Sequence, residues 1–179
     1  MNNLQRPGTD EYADEFAPYV DLVDPGQDNI LVHVKAQGLV MLNMMRSLDE
    51  ETGNHRYAAG KWSLKELIGH LIDMERIFTF RALWMARADN QAQPGVDENA
   101  WAAASNAGHR TLAELWREQH VCRTDHLYLF KSLDESAWER RGIASGNPLS
   151  VRAIPWIIAG HEKHHMLMMK KLYGLPVPG

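Results

Sequence analysis

From about Asp28 onward, apolar residues recur every three or four positions in four long segments, with no strand-like alternation of period two. In the first segment Ile30, Leu31, Val34, Leu39, Val40, Met41 and Met44 predict an amphipathic helix to about Glu51, with Gly38 as its weak point. Thr52 to Tyr57 reads as a loop. The second helix is announced by Ser63 with Glu66 three later, a capping box ahead of Leu64, Leu67, Leu71 and Met74, and runs to about Ala88. Thr111 with Glu114 opens a third through Leu112, Leu115, Trp116, Val121, Leu127 and Leu129 to about Ser132. The fourth carries Ile154, Ile158, Met168 and Leu172 on one face. Ser150 is its candidate cap, Gly174 and Pro176 stop it, and Pro155 in its first turns costs a local kink at most.

The connecting stretches are less regular. Asp89 to Asp97 contains Pro94 and Gly95 and is expected to be a loop, after which Asp97 caps a short helix packed down by Trp101. Asp134 to Arg140 predicts a helical turn anchored by Trp138, and Gly142 to Ser150 a breaker-rich loop. Residues 1–27, with Pro7, Gly8, Pro18, Pro25 and Gly26 among acids, predict an extended, partly mobile arm. The expected organisation is thus an arm, 1–27, and one all-α domain, 28–179, a four-helix bundle with crossover connections and short accessory helices.

Composition narrows the function classes. At 179 residues, 45% of them hydrophobic, the chain can build a core without disulfides, and its one cysteine, Cys122, has no internal partner. Cys122 reads as a packed small hydrophobe, which suits a reducing cytoplasm. The formal charge is −4 and the basic residues are dispersed, which argues against a nucleic-acid partner, and no apolar run approaches membrane-spanning length.

Candidate chemistry lies in the last helix. His161 and His165, four apart, share the apolar face, where two buried imidazoles each need a partner, and one divalent metal would satisfy both. His164 falls about 100° round the helix from His165 and faces a flank. A further ligand must come from elsewhere in the chain, and His70, between Leu67 and Met74 on the second helix, suits such a site. Asp73 could orient His70 through its second nitrogen, or could pair on the surface with Arg76 or Lys65. The stretch from His161 to His165 also matches H-E-x-x-H, the zinc-protease motif in which Glu162 would be a general base. No His, Asp or Glu follows His165, so the motif loses much of its protease meaning and Glu162 is expected to be solvated. His33, His55, His120 and His126 read as flank or surface residues.

W-S-L-K-E-L-I-G-H-L-I-D-M-E-R from Trp62 to Arg76, with I-I-A-G-H-E-K-H-H-M from Ile157 to Met166, resembles the DinB/YfiT-like superfamily, and P-G-V-D-E-N at Pro94 to Asn99 is similar to a connection in some members. The resemblance implies a DinB/YfiT-like four-helix bundle, often dimeric, that holds a divalent metal through three histidines matching His70, His161 and His165. It implies a small-molecule substrate handled by hydrolysis or by transfer involving a low-molecular-weight thiol, and the chemistry of three imidazole ligands favours zinc or nickel as the ion without fixing which is physiological. It makes Asp97 or Glu98 the nearest candidate for proton transfer, against the plainer reading of Asp97 as a helix cap. Two other readings stay open: a metal-binding or stress protein without turnover, and a metal-free helical interaction protein. Six tryptophans and nine methionines, more large apolar side chains than one core needs, add to the expectation of a homodimer.

Overall fold

A computed structural model describes residues 4–88 and 91–177. Four long helices form the bundle: α2 (Ile30–Arg46), α4 (Leu64–Ala86), α6 (Leu112–Lys131) and α8 (Ala153–Leu172). Short helices α1 (Ala17–Val20), α3 (Glu50–Asn54), α5 (Glu98–Ala104) and α7 (Glu135–Trp138) lie before and between them. Around the bundle the neighbours run α2, α6, α4, α8 and back to α2. α2 and α4 are therefore diagonal to one another, as are α6 and α8, so the first and third connections are crossovers, whereas α4 and α6 are neighbours. The long linkers permit this, since short loops would force antiparallel neighbours.

Both predicted capping boxes are present, Ser63 with Glu66 and Thr111 with Glu114. Ser150, the expected cap of the last helix, lies two residues before its N-cap Arg152, although its Oγ accepts from Ala153 N at 3.0 Å. The first long helix stops at Arg46, short of the expected Glu51, because Asp49 caps a separate turn, α3, through Thr52 N. Of the expected loop at Asp89 to Asp97, Asp89 and Asn90 lie outside the described residues.

Gly142 to Ser150, expected as a loop, is mostly a β-hairpin: β1 (Arg141–Ala144) pairs antiparallel with β2 (Asn147–Ser150). Its two-residue turn, Ser145-Gly146, has positive φ at both positions, the backbone that matches strand twist in a tight hairpin. Gln93 docks beside this hairpin, its N–H donating to Ile143 O at 2.9 Å and its carbonyl accepting from Ser145 N at 3.0 Å. The hairpin thereby fixes where the connection from Pro94 to Glu98 runs.

The segment expected to be an extended arm is folded over its described part. Leu4, Tyr12, Phe16, Val20 and Val23 are buried in the core with Phe78, Trp156 and Ile157. Arg152 pairs with Glu11 and Arg141 with Asp10, tying the segment to the start of α8 and to the hairpin. Its prolines and acids hid an apolar set too irregularly spaced to read as a helix. The close approach of α1 to α8 depends on Gly160, since a Cβ there would stand 1.9 Å from the Tyr19 carbonyl oxygen. Trp101, expected to pack α5 down, is instead exposed, whereas Trp138 is buried as expected.

Candidate metal centre

The three candidate histidines meet. His70 comes from the second turn of α4, and His161 and His165 from successive turns of α8, which packs against it. His161 Nε2 lies 3.2 Å from His70 Nε2 and 3.2 Å from His165 Nε2. The three rings are 3%, 6% and 7% exposed in the order His70, His161, His165. Tetrahedral or octahedral bonds of about 2.1 Å place neighbouring nitrogens roughly 3.0–3.4 Å apart, so the spacing suits one ion.

The electrostatics agree. Burial pushes His70 down to about 4, and burial with the neighbouring imidazoles pushes His165 to about 3 and His161 well below the usual histidine range. All three are neutral at pH 7, the form in which imidazole binds metal. Without a cation, the shared Nε2 of His161 can donate to only one of its two neighbours, and His165 Nδ1 is buried with no hydrogen-bond partner. Tyr19 packs edge-on against both His161 and His164, and Trp62 and Phe78 cover His70 and His161.

His161 forms part of the wall of a cavity of about 330 Å³ that is also lined by Tyr19, Phe78, Arg81, Val96, Glu98 and Ser145. Glu98 is exposed and its Oε2 lies 3.8 Å from His70 Nε2, which is not an ion pair while His70 is neutral. Asp97 sits next to it in sequence but spends its Oδ1 on Asn99 N and Ala100 N at the start of α5. Asp73 faces Arg76 at 3.7 Å, the surface alternative of the two readings of that residue. His164 is half-buried on the flank, beside the rings of Tyr19 and His165.

Glu162 corrects the sequence reading. It is buried and accepts from Gln37 Nε2 at 2.8 Å, Gln119 Nε2 at 2.9 Å and both terminal nitrogens of Arg123. Arg123 also grips Glu75 through Nε at 2.6 Å and Nη2 at 2.8 Å, and His126, expected at the surface, is buried with Nδ1 3.3 Å from the same carboxylate. Burial alone would raise the Glu75 carboxyl, but Arg123 and His126 outweigh it and hold it down at about 2. This network binds α2, α4, α6 and α8 behind the histidines and employs the glutamate of H-E-x-x-H in structure.

The arrangement is a crossover-connected four-helix bundle with three neutral imidazoles converging on one point at a cavity wall. The chain matches the DinB superfamily over residues 36–169 and belongs to it. Two solved structures share the fold. YfiT from Bacillus subtilis, described as a probable metal-dependent hydrolase with an unusual four-helix bundle topology, is 14% identical with a TM-score of 0.69, over 94% of this chain and 91% of that one. The mycothiol-dependent maleylpyruvate isomerase is 11% identical with a TM-score of 0.67, over 83% of this chain and 63% of that one, so the present chain spans less than two thirds of it. No curated protein sequence matches the chain. Among the described residues no helix is long and apolar enough to cross a membrane.

Proposed function

We propose that the chain is a metal-dependent enzyme acting on a small molecule, by hydrolysis or by transfer to or from a low-molecular-weight thiol, through one divalent ion held by His70, His161 and His165. The convergence of three buried, neutral Nε2 atoms beside an open cavity carries this reading. Zinc or nickel fits three imidazoles, and such an ion supplies Lewis acidity for activating a nucleophile. Phe78 and Trp62 keep the imidazoles dry, and the network behind them fixes α8 against α4. Glu98, beside His70 at the cavity wall, is the carboxylate placed to take a proton from the reacting group; Asp97 holds the first turn of α5 in place. The unpaired, buried Cys122 suits a reducing cytoplasm.

Protein purified without chelator should carry about one divalent ion per chain by elemental analysis. Full occupancy in a His70→Ala, His161→Ala, His165→Ala variant would sink the assignment. Once thiol conjugates, esters and amides have been screened for turnover, Glu98→Gln should lower kcat by about 10²-fold or more while Asp97→Asn changes it little.

The same reading includes a homodimer. Val32 on α2 and Val121 and Tyr128 on α6 leave apolar surface on adjoining helices. Sedimentation at micromolar concentration should give twice the chain mass of 20.4 kDa, and a monomer alone would contradict it.

A further inference from the structure

We propose that the cavity at the three histidines also contains an anion subsite, built on Arg81, that takes the carboxylate of the substrate. The inference rests on the metal-enzyme reading for its other end. Arg81 is 3% exposed, lines the same cavity as His161, and forms no ion pair with any described residue. Its Nη2 is anchored by donating to Pro94 O at 2.9 Å and Ser145 Oγ at 3.0 Å, whereas Nε and Nη1 make no hydrogen bond among the described residues. A buried guanidinium without a counter-charge is costly, and charges this deep are ordinarily paired. Among the described residues, the acids lining the cavity with it are Glu15 and Glu98, both exposed and neither in ion-pair contact with it. Burial is the main influence on Arg81 and weakens its hold on the proton, with Glu15 opposing at a distance, but an arginine keeps its charge regardless.

The fold holds this cation in place. Ser145 occupies the first of the two positive-φ positions of the hairpin turn, and Gln93 is clamped to the hairpin one residue before Pro94, so both acceptors of Nη2 are set by backbone pairing. On α4 the eleven positions from His70 to Arg81 amount to three turns, about 16 Å along the axis, and Phe78 between them touches the ring of His161. The cavity therefore has a histidine end and a cationic end, with Tyr19, Phe78 and Met74 as apolar walls between. A ligand that fits has a reacting group, a short apolar span and a terminal carboxylate.

The test uses cobalt-loaded full-length protein and ω-mercaptocarboxylates of three to eight carbons, each against its uncharged amide, with thiolate-to-cobalt absorption as the binding signal. At the best chain length the acid should bind about ten-fold more tightly than the amide, as expected for a charge-assisted hydrogen bond. That preference should vanish in Arg81→Gln and persist in Ser145→Ala, which keeps the guanidinium. Equal binding of acid and amide by the wild type at every length, or a preference that survives Arg81→Gln, overturns the subsite and leaves the metal reading intact. If the protein takes up no cobalt, the metal reading fails instead. Calorimetry of hexanoate against hexanamide on the metal-free protein then decides the subsite alone, and no preference for the acid overturns it. Should Arg81→Gln not fold, the wild-type ratio stands as the criterion.

Discussion

Arg123→Met should destabilise the protein by about 3–5 kcal/mol, because it leaves the Glu75 and Glu162 carboxylates buried without their shared cation. The methionine fills much of the volume, so the loss reports charge and hydrogen bonding more than a cavity. Denaturant titration of metal-free protein measures it, and a loss below about 1 kcal/mol would show that the network is dispensable. Acid supplies an independent readout. Glu75 has a folded pKa of about 2 against an ordinary 4.5, so the folded state binds fewer protons between those values. The stability it contributes is complete above pH 4.5 and is lost as pH falls toward 2, roughly 3 kcal/mol in all. The histidines act in a higher window. Their folded pKa values lie below the ordinary 6.5, so the unfolded chain takes up protons first and metal-free protein already weakens between pH 6.5 and 4. In Arg123→Met the lower of these two steps should disappear while the upper one remains.

The long helices were legible because their caps and stripes are local. Ser63 with Glu66 and Thr111 with Glu114 need no tertiary knowledge to mark a helix start, and the spacing of His161 and His165 on an apolar face needed only helical geometry. The polar core was not legible, although a signal for it exists. Leu112, Leu115, Gln119, Arg123, His126 and Phe130 follow one another at steps of three or four and all are buried, so Gln119, Arg123 and His126 lie in register with the apolar stripe. Glu75 and Arg81 stand in the same relation to Leu71, Phe78 and Met85 on α4. Taken singly, each charge looks like a flank residue, because its partners come from other helices. The hairpin was hidden for a different reason: its strands have four residues each and contain Gly142 and Pro148, which weaken any strand signal. Tyr19 was missed because its contact with His161 depends on Gly160 letting α1 approach α8, a match between residues far apart in sequence.

The largest effect on ligand affinity should separate two adjacent histidines. His165→Ala is expected to weaken metal binding by orders of magnitude in a competition titration, and His164→Ala by no more than a small factor. His165 presents Nε2 3.2 Å from the Nε2 of His161, so its loss would remove one of the three proposed ligands and leave two histidines. Neighbouring positions on a helix differ by about 100°, and His164 accordingly lies half-buried against Tyr19, outside the group of converging nitrogens. Its ring touches that of His165 edge-on, so its removal loosens one wall of the site without taking away a donor. Partners that orient a ligand typically contribute about 10–100-fold to affinity, and a packing neighbour with no hydrogen bond to the ligand should contribute less. The reverse ranking, with His164→Ala the more damaging, would mean that the ion is bound by His161 and the residue three positions on, which requires α8 to be rotated about its axis relative to α4.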